Sequence, residues 1–142
     1  MKVIVVCGPP GSGKTTLIKK RFPDTPHLDM DTFRNDAISK GYTGYDVYSH
    51  SMETLFSTIE SELQKDSNLI IVEGIFAPGS HSRGWLRSKL WSMKLDIDEY
   101  IVPDFTFGSA SVNLVKDFHE DGDEERLNGR VAMLIKYGKS FK

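Results

Sequence analysis

The chain has 142 residues, 39% of them hydrophobic, enough for one packed core and too few for two ordinary domains, so residues 1–142 read as a single domain. Its 18 basic and 20 acidic side chains leave a formal net charge of −2, so no global field draws it to nucleic acid or an anionic membrane; any polyanion must be held by a local patch. Cys7 is the single cysteine, which excludes an internal disulfide; with no secretory pattern at the amino terminus and no apolar run of bilayer length there, the expected setting is cytoplasmic, with no membrane partner.

Lys2 to Cys7 is a β-branched run that stops at glycine, which predicts a strand buried on both faces at the centre of a parallel sheet. Next come Gly8-Pro9-Pro10-Gly11-Ser12-Gly13-Lys14-Thr15, matching G-x-x-x-x-G-K-[ST] directly between a strand and a helix. The glycines let successive backbone N–H groups curl around phosphates, and the helix N-terminus adds its positive end. Lys14 is expected to reach the outer phosphates of ATP and the Thr15 hydroxyl to hold Mg²⁺. Thr16 completes the set as a nucleotide contact or a packing residue.

A helix is expected over Thr15 to Arg21, closed by Pro23 and Pro26, then a short strand His27 to Asp29 and a helix from Asp31 to Lys40 ended by Gly41. A loop rich in glycine and tyrosine follows to about Tyr48. Met52, Leu55, Phe56, Ile59 and Leu63 recur at helical spacing and should lay one stripe on the sheet. Leu69 to Glu73 repeats the short apolar strand ending in an acid. Gly74 to Gly84 reads as a loop before a helix at Trp85 to Met93. Asp98 to Pro103 makes a fourth strand, and helices follow near Ser109 to Phe118 and up to Tyr137, separated by the acidic stretch His119 to Glu125. Strands alternating with helices in this way predict a three-layer α/β/α fold of the P-loop NTPase, kinase-like kind, with a parallel sheet of four to five strands in the order 2-3-1-4.

Ligands of open parallel sheets sit at the carboxyl ends of the strands, where Asp29, Asp31 and Glu73 fall. Moving a phosphoryl group to an alcohol needs a carboxylate that orients the hydroxyl and accepts its proton. Asp31 is the candidate base, or the cap of its helix, or both. Asp29 and Glu73 are candidates to position the metal, with strand-end pairing as the plain alternative. Arg83, in the loop Gly79 to Gly84, is a candidate for an acceptor phosphate. Tyr42, Tyr45 and Tyr48 lie where an acceptor would arrive and could stack on bases or fill gaps between helices. The four histidines lack the spacing of a zinc site. Residues Asp117 to Asn128 approach a calcium loop, but His119 replaces an oxygen ligand and Asn128 stands where a bidentate glutamate is needed.

Gly8 to Thr15, Leu28-Asp29-Met30-Asp31-Thr32-Phe33-Arg34 and Ile70-Ile71-Val72-Glu73 together resemble the P-loop kinases, in particular the bacteriophage polynucleotide 5′-hydroxyl kinase branch. The resemblance implies an Asp-x-x-Arg pair, Asp31 as general base and Arg34 on the acceptor phosphate. It also implies an arginine-bearing lid, which falls near residues 116–130. That segment is strongly acidic, and only Arg126 and Arg130 offer guanidinium groups; Arg126 is the first choice for contacting ATP and the transferring phosphoryl group, with surface ion pairing as the alternative. The implied activity is transfer of the γ-phosphate of ATP to a polynucleotide 5′-hydroxyl or a nucleoside or nucleotide hydroxyl. The Asp-x-Asp pair is also similar to small-molecule kinases acting on sugars or hydroxy acids. A P-loop switch or ATPase is the third reading, without a guanine-specific N-K-x-D motif to support it.

Overall fold

The computed structural model describes residues 1–142. In chain order the elements are β1 (Lys2–Cys7), α1 (Lys14–Arg21), β2 (His27–Asp29), α2 (Met30–Ser39), α3 (Tyr45–Gln64), β3 (Leu69–Gly74), α4 (His81–Ser92), β4 (Ile97–Ile101), α5 (Phe107–Asp121), α6 (Glu124–Tyr137) and a closing 3-10 turn, Gly138–Phe141. The four strands are all parallel in the order β2-β3-β1-β4, the expected order with no fifth strand.

Side chains alternate across β1. Val3, Val5 and Cys7 meet Met52, Leu55, Phe56 and Ile59 of α3 and Leu86 and Leu90 of α4 on one face of the sheet. Val6 and Ile71 meet Ile18 of α1 on the other. The sheet is thus covered on both faces, the three-layer arrangement expected. A separate small cluster, Phe105, Ala110, Leu114 and Leu134, holds α5 against α6. No helix is long and apolar enough to cross a membrane.

Three boundaries differ from the sequence reading, each for a local reason. α4 starts at His81 because the Ser80 side chain accepts from the Arg83 N–H and caps it, so most of the expected loop Gly79 to Gly84 is helix. α3 starts at Tyr45, which places Tyr45, Tyr48 and Met52 at helical spacing. α5 continues through Asp121 as helix, so Asp117 to Asp121 form no calcium loop. Only Gly122, left-handed at φ 64°, and Asp123, which caps α6 by accepting from the Arg126 N–H, separate the two helices. The segment expected as a lid is therefore the distal half of an antiparallel helical hairpin.

Candidate active site

The strand register decides which acids meet. Asp29 lies opposite Glu73, and Glu73 opposite Val6, so the acids at the carboxyl ends of β2 and β3 lie side by side, on one side of the point where β1 passes into the glycine loop. Residues 8–13 then turn into α1 at Lys14. Gly11 and Gly13 adopt φ +82° and +93°, a left-handed backbone that glycine takes without a Cβ clash. No side chain caps the first turn of α1, whose N–H groups face the same cleft as the loop. Lys14 Nζ donates to the carbonyls of Gly8 at 2.7 Å and Pro9 at 3.2 Å, which folds it over the loop.

Thr15 Oγ1 donates to both oxygens of Glu73, at 3.1 and 3.0 Å, and His27 Nε2 lies 2.9 Å from Glu73 Oε1. Glu73 is 4% exposed, so these contacts are what keeps a buried carboxyl satisfied. Burial first, and the Asp29 charge second, push its pKa up; His27, Thr15 and Lys14 oppose them. Asp29 is likewise raised, mainly by burial. Ligand atoms of His27, Asp29 and Glu73 lie within 4.8 Å of one another. His27 went unrecognised in the sequence, where only the alternation of β2 links it to the face that carries Asp29.

Asp29, rather than Asp31, caps α2: its Oδ1 accepts from the Asp31 N–H at 2.9 Å. That leaves the Asp31 carboxylate exposed in the first turn, on the cleft wall beside Arg34. Desolvation lowers the pKa of Lys14, and the charge of Asp31 is the largest opposing influence, followed by Glu73; Arg130 adds to the lowering. Lys14, Asp31, Glu73 and Arg130 therefore share one electrostatic neighbourhood.

The two candidate lid arginines differ in placement. Both line the cleft. Arg126 pairs with Asp121 at the outer end of the hairpin, its side chain 44% exposed. Arg130 pairs with Asp117 at 2.7 Å, its side chain 19% exposed, and is the one whose charge reaches Lys14. Arg83 departs from the acceptor role read in the sequence, because it lies outside the cleft. Its Nε donates to the Phe76 carbonyl at 2.9 Å, its Nη2 contacts Cys7 Sγ at 3.5 Å, and its guanidinium sits 4.1 Å from the centre of the Tyr100 ring. Those contacts fix the start of α4 to the sheet and leave no free fork for a phosphate.

The hairpin is tied to the loop at two points: Asn113 Nδ2 donates to the Gly11 carbonyl at 2.8 Å, and Ala110 packs directly against Gly11. Neither contact was foreseen in the sequence. The resulting cleft, about 1440 Å³, runs from the glycine loop past Asp31 and Arg34 to Tyr42 and Tyr48, with α6 along its other side. It exceeds the roughly 300–1,000 Å³ of a site for one small ligand and has room for two substrates side by side.

No family model and no curated relative matches the chain. Among solved structures, a chain of the Pnkp1/Rnl/Hen1 RNA repair complex superposes with a TM-score of 0.66 at 17% identity, over 99% of this chain and 46% of that one. A candidate kinase from Chloroflexus aurantiacus gives a TM-score of 0.66 at 17% identity, over 87% of this chain and 69% of that one. The likeness is one of fold, kinase-like in both cases, and this chain spans less than half the length of the RNA-repair protein it matches.

Proposed function

We propose that this protein is an ATP-dependent phosphotransferase that moves the γ-phosphate of ATP to a hydroxyl of a nucleic-acid 5′ end, a nucleoside or a nucleotide. The observation that carries the reading is the convergence of Lys14, the Thr15–Glu73 contact and the exposed Asp31 carboxylate on one cleft large enough for two substrates. A hydrolytic switch needs no second substrate space and no carboxylate facing it.

The donor set fits magnesium: Thr15 Oγ1, Glu73 and Asp29 offer the hard oxygen atoms it prefers, and a cation there would relieve the repulsion between the buried Glu73 carboxyl and the half-buried Asp29. Bound there, Mg²⁺ would neutralise charge on the outer phosphates. The loop N–H groups and Lys14 hold the phosphates in place. Asp31 orients the acceptor hydroxyl and takes its proton as the oxygen bonds to the γ-phosphorus and the bond to the β-phosphate oxygen breaks. Arg34, one turn along the same helix, faces the acceptor's own phosphate. Arg130, released from Asp117, balances charge on the transferring group, a role worth roughly 10³–10⁵ in rate elsewhere.

A smaller acceptor, a sugar or hydroxy acid, is the second reading, favoured by Asp117 and Glu120 on the α5 wall, which would repel an extended polyanion there. Transfer from radiolabelled ATP to a panel of 5′-hydroxyl oligonucleotides, nucleosides, nucleotides and small alcohols separates the readings, with Lys14→Ala as the inactive control. Asp31→Asn should lower transfer by roughly 10²–10⁴ while leaving the Kd for ATP nearly unchanged. Transfer retained in that variant would remove Asp31 as base.

A further inference from the structure

Each helix of the α5–α6 hairpin carries two apolar stripes, where a surface helix of one packed domain needs one. The first faces inward: Ala110 and Leu114 of α5 meet Leu134 of α6. The second is Val112 and Val115 on α5 with Val131 and Ile135 on α6. All four are exposed, Val112 and Ile135 at 66% and 65%. Valine and isoleucine lose χ1 freedom in a helix, so at uncovered positions they bring neither propensity nor burial to the single chain.

The four residues share one face. At about 100° per residue, Asn113 and Asp117 fall on one side of Leu114 and line the cleft, while Val112 and Val115 fall on the other side. Around α6, Arg130 and Met133 lie on the cleft side of Leu134, and Val131 and Ile135 lie opposite. The helices are antiparallel and packed through Leu114 and Leu134, so both outer pairs project from the face turned away from the cleft. The pairs Arg130–Asp117 and Arg126–Asp121 set the level of one helix against the other, and by them the midpoint of Val112 and Val115 stands beside that of Val131 and Ile135.

Charge along the hairpin says what covers this face. Residues 117–125, at the tip, carry six acidic side chains and no Lys or Arg; residues 126–142 carry five basic side chains and no acid. With Arg126 and Arg130 paired and Asp123 capping α6, Glu124 and Glu125 at the tip have no basic partner, and Lys136 and Lys139 at the base have no acidic one. A second copy can stack on the face about a two-fold axis in two ways. With the axis along the helices, acidic tip meets acidic tip. With the axis across them, through the centre of the apolar patch, the tip of each copy lies over the base of the other, which matches charge at both ends while the valines and isoleucines meet in the middle. α6 is about 21 Å long and two helices are about 20 Å wide, so the face offers roughly 400 Å² of projected surface per copy, the low end for a specific interface and the range of weak dimers.

We infer that the Val112–Val115–Val131–Ile135 face binds a second copy of this chain end for end, forming a two-fold dimer in which the hairpins make a four-helix bundle. The clefts open on the opposite side of each hairpin and stay accessible. The inference does not depend on the phosphotransferase reading.

Sedimentation velocity of the full chain, without nucleotide and from about 1 µM to about 1 mM, should show a monomer–dimer equilibrium. Val112→Glu and Ile135→Glu each bury an unpaired charge twice in the dimer and should weaken association at least about ten-fold, with the urea midpoint at low protein concentration unchanged. Orientation is read by cross-linking with a short bismaleimide, the native Cys7 being buried. Val131→Cys, about two residues from the axis, should cross-link to its own counterpart. Glu124→Cys, about nine residues from it, stands about 27 Å from its counterpart and should not. A wild-type protein that stays monomeric throughout, a dimer equally strong in both Glu variants, or equal cross-linking at the two cysteine positions would each overturn the proposal.

Discussion

The contact between Gly11 and α5 makes the clearest quantitative prediction. Gly11 and Gly13 both have left-handed backbone, so alanine at either carries the same conformational penalty of about 1–2 kcal/mol. Their surroundings differ. A Cβ at Gly11 would stand 2.4 Å from the Ala110 carbonyl oxygen and 3.2 Å from its Cα, whereas one at Gly13 meets nothing within 4 Å. Relief at Gly11 requires α5 backbone to move, which typically adds about 1–3 kcal/mol and strains the Asn113–Gly11 hydrogen bond. Gly13→Ala should therefore cost about 1–2 kcal/mol and Gly11→Ala about 2–5 kcal/mol. The assay is urea unfolding without nucleotide. With m near 1–3 kcal/mol/M, the Gly11 variant should show the lower midpoint by roughly a molar. Equal midpoints with equal m would refute the claim that the hairpin is seated on the glycine loop through Gly11.

Two further predictions concern the charges of the cleft. Glu73→Gln should raise the urea midpoint near neutral pH when divalent cations are chelated. Burial lifts the folded-state pKa of this carboxyl, so ionising it costs stability as pH rises from the ordinary carboxylate range through the raised value; the gain should vanish at pH below that range, and a gain independent of pH would refute it. Arg130→Ala should lower kcat at least a hundred-fold and Arg126→Ala less than five-fold, measured as steady-state transfer at saturating ATP; the reverse order would place the acting guanidinium on Arg126.

Much of this arrangement is local and so readable from the chain. The strand-loop-helix of residues 2–21, the acids closing β2 and β3, and the sheet order all follow from patterns within about ten residues and from topological rules. What was hidden depends on contacts between distant segments. Arg83 turns inward because Tyr100 of β4, Cys7 of β1 and the Phe76 carbonyl all reach it, and no spacing along the chain announces that meeting. His27 becomes a partner of Glu73 only once β2 lies beside β3. The early start of α4 was legible in principle: Ser80 is a sound N-cap, and the two glycines flanking residues 80–83 concealed it.

The acidic character of the hairpin, which sits oddly with the phosphate site proposed above, has a physical place in this arrangement. Each arginine on the cleft side of α6 is held by an aspartate of α5, Arg126 by Asp121 and Arg130 by Asp117, and Lys14 is offset by Asp31 and Glu73. A cluster of uncompensated cations around the loop would repel itself in the free protein, and a solvent-exposed pair such as Arg126–Asp121 is weak, so it holds its guanidinium group near position at little energetic depth. On the proposed function, a bound triphosphate would compete with Asp117 for Arg130 through charge-assisted, bidentate hydrogen bonds. Lys14 and the two arginines would then form the local patch that holds the phosphates, with carboxylates offsetting their charge in the free protein, which is how a chain of net charge −2 could take such a substrate.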